Sequence, residues 1–245
     1  MCRLMGYVAP ADTTLLEIAG QGFTEFAGLS AKHGDGWGVS SVDAVGNSTL
    51  ILEPSRAKES AKFAEVAGSH SADAAILHLR WATSGLSIKE GNTHPFVHDG
   101  ISFMHNGGVL PPESLDSFID TDLFENMRGE TDSEKYFFLI ITEMRKLGLT
   151  EGILSAVRII REKLVYSSIN AMILTATDFY VVCEHNNDRI PADEGKDYYE
   201  LFYRKDAAGV LVASTGWDQS GWTNLPNHEM LTVSRSTLAI STTRI

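Results

Sequence analysis

Short apolar runs bounded by glycine and polar turns fill both ends of the chain, and two amphipathic stretches occupy its middle. Residues 2–8 are an apolar run that begins almost at the N-terminus and predicts a strand. A weaker helical pattern covers 14–31. The glycine-dense turn Gly34-Asp-Gly-Trp-Gly38 then feeds an apolar strand at 39–42, with a second at 49–52, and 57–67 reads as helix. The near-continuous apolar run 74–81 is the pattern of a strand buried on both faces. Another strand at 101–105 ends in Asn106-Gly107-Gly108, a strong turn signal. In 132–147 the residues Tyr136, Phe137, Ile140, Ile141 and Met144 fall at helical spacing, and a second amphipathic helix follows at 151–165. Strands return at 170–176, 179–184, 198–203, 209–213 and 230–234, with a weaker one at 237–241. Strands, two adjacent helices and strands again predict packed sheets with helices outside. No repeat or low-complexity linker divides the chain, and the polar stretch 186–196 reads as a surface loop, so one domain over 1–245 is expected.

Composition removes several classes of function. A formal charge of −12 and an isoelectric point near 5.0 argue against a nucleic-acid partner, which normally calls for a basic face. The N-terminus lacks the apolar length of a signal peptide, and no window approaches the roughly 18 uninterrupted apolar residues of a membrane span. A cytoplasmic protein with no membrane partner is the expectation. Cys2 and Cys183 are the only cysteines, so there is no disulfide framework.

Candidate chemistry starts at Cys2. Removal of Met1 makes this residue carry both a thiol and a free α-amine, whose ordinary pKa of about 7.7–8.0 leaves much of it as free base near neutrality. That is a nucleophile with its own general base. Taken alone, position 2 is merely the residue after the initiator. Four further segments change the balance: Asp35-Gly-Trp-Gly38, His78-Leu-Arg-Trp-Ala-Thr83, Asn92-Thr-His-Pro-Phe96 with His105-Asn106-Gly107, and Gly129-Glu-Thr-Asp132. With Cys2-Arg-Leu-Met-Gly6 they resemble, in order, the class II glutamine amidotransferase domain of the N-terminal nucleophile hydrolases, and most closely its short stand-alone members. The similarity runs from Cys2 to about residue 145.

The resemblance implies an α+β fold, a four-layer α/β/β/α sandwich of two packed antiparallel sheets flanked by helices, as one amidotransferase domain. It implies Cys2 as nucleophile on the side-chain amide of glutamine or a γ-glutamyl small molecule, through a thioester, with no metal or organic cofactor. Asn106 and Gly107 match the oxyanion pair. Arg80 matches the grip on the substrate α-carboxylate and Asp132 the group that receives its α-ammonium. Trp81, Thr83 and His94 match the pocket wall. Thr131 and Glu134 also spell a helix capping box, and are assigned to capping. Ser84 stands where the glucosamine-synthesising branch usually carries histidine, which weakens transfer from that branch.

The remaining candidates have plainer readings. His94, His98 and His105 fit no standard zinc spacing. The Asp35–Gly38 turn is expected to support the Cys2 strand, with Trp37 in the core, and Cys183 reads as an inert buried thiol. The stretch 215–228, with Trp217 and Trp222, is either a lid or a polar surface loop. Three functions stay open: amide hydrolysis for its own sake, ammonia donation to a separate synthase subunit, and a catalytically silent binding scaffold. The last is disfavoured because every matched catalytic position is filled.

Overall fold

A computed structural model of the protein describes residues 2–83 and 85–245; Met1 and Ser84, the site of the departure noted above, lie outside the described residues. The first run becomes β1, Arg3–Thr13. The helical pattern that follows is broken in two. Thr14 caps α1, Leu15–Ala19, through a full capping box with Glu17, but Gly20 adopts φ +59° and stops it. The chain restarts as α2, Gly22–Gly28, so the expected helix 14–31 is two short ones and a final tight turn. Next come β2, Trp37–Val42, and β3, Ser48–Glu53. The predicted helix 57–67 begins later, as α3, Ala61–Ser69, because Ser60 caps it by accepting from the Phe63 amide. β4, Ala72–Leu79, is followed by β5, Phe96–His98, a short strand the sequence pattern did not announce, and by β6, Ile101–Leu110.

The two amphipathic stretches fold as α4, Asp132–Leu147, and α5, Leu149–Lys163. The last third gives β7, Val165–Leu174, β8, Asp178–Cys183, β9, Leu201–Asp206, β10, Gly209–Ser214, β11, Thr223–Leu225, β12, Glu229–Ser234, and β13, Ile240–Arg244. Tyr198 and Tyr199, expected to open β9, are buried ahead of it instead. Among the described residues no helix is long and apolar enough to cross a membrane.

Two sheets form, one in the order β11-β9-β10-β1-β4-β2-β3 and the other β13-β12-β8-β7-β6-β5. Every strand pairing in both is antiparallel. Alternation along each strand divides the core into layers. In β1, Leu4 and Val8 join Ile76, Met104, Met172 and Phe179 between the sheets. Met5 and Tyr7 point the other way, toward Phe26 and Phe63 of α2 and α3. On the second sheet, Phe103 and Ile173 pack outward against Phe137, Ile140 and Val157 of α4 and α5. Covering each sheet on both faces explains why the central strands are apolar without alternation. The architecture is the expected four-layer α/β/β/α sandwich. β1 lies centrally in its sheet, and the start of β1, the end of β4 and the end of β6 meet at one end of the sandwich.

Candidate active site

Cys2 immediately precedes β1, where Arg3 stands opposite Leu79, the last residue of β4. The Cys2 thiol is buried and lies 3.8 Å from the Trp81 carbonyl oxygen. Burial pushes its pKa up, so the resting group is a neutral thiol that needs a base to become a nucleophile.

Arg80 leaves the end of β4 and is held by the Asp35–Gly38 turn. Its amide donates to the Gly36 carbonyl at 2.8 Å, and its own carbonyl accepts from the Asp35 amide at 3.0 Å. The Asp35 carboxylate then accepts from the Ala82 amide at 2.8 Å. The turn was expected to support the Cys2 strand; it instead fixes the 80–83 segment, because β2 pairs with β4 and β3, not with β1. Trp37 is fully buried as expected, edge-on to Phe63. The Arg80 guanidinium makes two contacts at the long end of the hydrogen-bond range, to the Asp35 and Ser87 carbonyls, both 3.4 Å. Trp81 carries Lys32 over its ring face at 4.9 Å, and Lys32 is in turn ion-paired with Glu194 of the predicted surface loop.

The end of β6 supplies Asn106 and Gly107, opposite Asn170 and Ile169 of β7. The register slips between Gly107 and Val109, a bulge that turns the backbone. Gly107 has φ +149°, and a Cβ there would sit 1.8 Å from the Ser168 carbonyl oxygen; only glycine fits. Asn106 shares the inter-sheet face of its strand with Met104. Its side chain is fully buried, and among the described residues neither its Oδ1 nor its Nδ2 has a hydrogen-bond partner.

Asp132 opens α4 and accepts from the Val109 amide through Oδ2 at 2.8 Å, just past that bulge. The capping box is only half made. Thr131 accepts from the Glu134 amide at 3.1 Å, but the Glu134 carboxylate takes the Arg128 and Gly129 amides at 2.8 and 2.7 Å. His94 is buried, and among the described residues neither ring nitrogen has a hydrogen-bond partner. Burial holds its pKa well below the usual histidine value, so the ring is neutral.

Cys2, Arg80, Trp81, Thr83, His94, Gly107 and Asp132 all line one cavity, together with Leu86, His105, Thr131 and Ser133. Of the eight candidates, Asn106 is the one that does not line it. His105, for which the sequence offers only a structural or supporting role, lines it too. Its Nδ1 lies 2.9 Å from the Ser133 hydroxyl and its Nε2 3.1 Å from the Ser168 carbonyl. Asp35, an acid at the mouth of a glycine turn, holds the Ala82 amide, a contact the sequence does not specify. His98 instead packs on Phe138. Glu130 is engaged by Ser87, Asn92 and Lys89 away from the cavity. Cys183 is fully buried between the sheets. Trp217 packs edge-on against Phe26 and against Trp222, and the 215–228 stretch contributes β11 rather than a cover for the cavity. Among the described residues no three His, Cys, Asp or Glu side chains converge as a metal site would require.

The family model described as "Glutamine amidotransferases class-II" matches residues 1–172. Glutamine–fructose-6-phosphate aminotransferase of Aliivibrio fischeri is 34% identical over 150 residues, 60% of this chain and 23% of that protein. Its Escherichia coli counterpart is 30% identical over 158 residues, 64% of this chain and 25% of that protein. The chain thus spans about a quarter of the length of these curated relatives. A class II glutamine aminotransferase domain protein from Silicibacter pomeroyi shares the fold with a TM-score of 0.69 at 19% identity, covering 99% of both chains. Glutamine phosphoribosylpyrophosphate amidotransferase from Bacillus subtilis gives a TM-score of 0.64 at 19% identity, over 99% of this chain and 49% of that one. With the family model spanning more than half of its residues and the expected sandwich in place, the chain belongs to the class II glutamine amidotransferases.

Proposed function

We propose that the chain hydrolyses the side-chain amide of glutamine or of a γ-glutamyl compound, with Cys2 as nucleophile and a thioester intermediate. The observation that carries this is the convergence of Cys2, Arg80, Gly107 and Asp132 on one cavity. Removal of Met1 frees the Cys2 α-amine, which takes the thiol proton as Sγ attacks the amide carbon. Negative charge develops on the amide oxygen, where the Gly107 N–H and the uncommitted Asn106 Nδ2–H donate to it. The C–N bond breaks as the α-amine returns the proton to the leaving nitrogen, giving ammonia or an amine and a γ-glutamyl thioester. Water then attacks the thioester, releases glutamate and restores the thiol.

Arg80 presents its fork to the substrate α-carboxylate, a match for two parallel hydrogen bonds. Asp132 keeps one oxygen on the Val109 amide and offers the other to the α-ammonium. Trp81, Thr83 and the neutral His94 shape the wall. Because the curated relatives are aminotransferases matched over only about a quarter of their own length, ammonia delivery to a separate synthase subunit is the second reading; it predicts glutamine turnover that rises when that subunit is added.

Intact mass before and after 6-diazo-5-oxo-L-norleucine tests the first reading, with Cys2→Ala as control. Loss of Met1 and one adduct that disappears in the variant are the expected result. A processed, folded protein whose Cys2 stays unlabelled and which releases no glutamate from glutamine overturns it.

A further inference from the structure

The space between the sheets is largely apolar; apart from the Ser40–Ser102 hydroxyl pair that bridges it, it turns polar toward the end that carries Cys2. His78 sits at that change. It lies in β4 opposite Leu4 of β1 and Gly38 of β2, fully buried. Its Nε2 reaches across to the second sheet and lies 3.3 Å from the His105 carbonyl oxygen.

The topology explains why that carbonyl needs it. β5 and β6 form a tight hairpin, with His98 opposite Ile101 and Phe96 opposite Phe103, so the odd-numbered residues of β6 direct their N–H and C=O toward β5. β5 begins at Phe96, so nothing in it stands opposite His105. The His105 carbonyl therefore faces a side of the ladder with no strand on it, and a buried carbonyl without a partner is costly. That carbonyl belongs to the same planar peptide unit as the Asn106 nitrogen.

We propose that His78 is a positioning residue for the oxyanion pair. Its Nε2–H, donated across the sheets to the His105 carbonyl, fixes the peptide from which Asn106 and Gly107 extend, and so sets their place relative to Cys2. The inference rests on the reading of Cys2, Asn106 and Gly107 as the catalytic centre. The ring is itself held in place, stacked on His94 with centroids 4.2 Å apart and planes 24° from parallel, and His94 leans on Phe96. Burial pushes the His78 pKa down to about 3, so at neutral pH the ring is uncharged. With the proton on Nε2, Nδ1 carries none, and among the described residues Nδ1 has no hydrogen-bond partner. His78 is thus committed to the backbone and takes no proton from Cys2.

The test compares His78→Leu, which loses the donor, with His78→Gln, whose amide restores one. For His78→Leu, kcat for glutamine should fall about tenfold or more, with KM and the rate of Cys2 alkylation by iodoacetamide within about twofold of wild type. Affinity for glutamate γ-semialdehyde should fall by the same factor as kcat, because its thiohemiacetal places an oxygen in the oxyanion position. His78→Gln should recover most of both losses. Unchanged kcat in a folded His78→Leu overturns the proposal, as does a loss confined to KM or His78→Gln performing no better than His78→Leu. If His78→Leu does not fold, His78→Gln decides: near-wild-type kcat and aldehyde affinity support the role, and their loss in folded protein overturns it. A wild-type protein with neither turnover nor a Cys2 adduct would instead defeat the underlying function, which separates the two failures.

Discussion

Replacing Asn106 with leucine should make the protein more stable and nearly inactive. Asn106 buries a whole carboxamide between the sheets without a partner for either polar atom among the described residues. Burying such a group unpaired costs about 1–3 kcal/mol by mutational measure. Leucine has the same branching at Cγ and a similar volume, so Asn106→Leu removes that cost without opening a cavity. Stability should rise by about 1–3 kcal/mol, which for a chain of this size raises Tm by roughly 2–4 °C per kcal/mol. In the transition state the balance reverses, because the Nδ2–H meets charge only then. Losing one such donor costs about 2.7–4 kcal/mol, a fall of about 10²–10³ in kcat. Thermal unfolding and glutamine hydrolysis on the same preparations provide both readings. A Tm several degrees below wild type would show that the amide is satisfied in the resting protein. A kcat within about threefold of wild type would remove Asn106 from the reaction.

Arg80→Lys should raise KM for glutamine about tenfold or more with little change in kcat, because a point charge replaces a fork worth about 1.5–3 kcal/mol to a carboxylate; an unchanged KM removes Arg80 from substrate binding. Stability should depend on pH through the buried histidines. His78 has a folded pKa of about 3 against about 6.5 unfolded, so between those values the unfolded chain binds the extra proton. Stability is therefore complete above about pH 6.5 and falls as pH drops toward about 3, by up to about 1.4 kcal/mol per pH unit for this residue. Urea midpoints for wild type and His78→Gln should converge as pH falls through that window, and parallel curves would refute the assignment.

The strand that follows Cys2 and the two long helices were legible because each carries a local signature, whereas the eight candidate residues, seven of which line one cavity, came from motifs matched in order along the chain. The run 74–81 is apolar because helices and a second sheet cover both faces of β4, and α4 keeps helical spacing of its apolar residues although it is buried on all sides over 136–143. What escaped notice depends on distant partners. The break at Gly20 requires a left-handed φ that residues 14–31 do not announce. β5 is three residues long and exists because β6 returns to it. Asp35 sits beside Cys2 in no sequence sense, and its true partner, the Ala82 amide, follows from β2 lying next to β4. His78 and His105 look like ordinary histidines in apolar strands. Their roles come from a carbonyl left facing past the end of a hairpin and from a helix that brings Ser133 to the other side.

The place of β1 in its sheet also sets an order of events during synthesis. β1 precedes both of its neighbours along the chain, yet it is flanked by β4 on one side and by the much later β10 on the other, with Met5 opposite Ala213. The Leu4 amide donates to the Ser214 hydroxyl at 2.9 Å. At about 5–20 residues per second, the ribosome needs on the order of ten to forty seconds before β10 exists. Until then β1 is a bare edge, rich in apolar residues and open to pairing with another chain. A fragment ending at residue 172, where the family match stops, would keep that edge permanently. It would contain every proposed catalytic residue and still be an aggregation-prone half of a sheet.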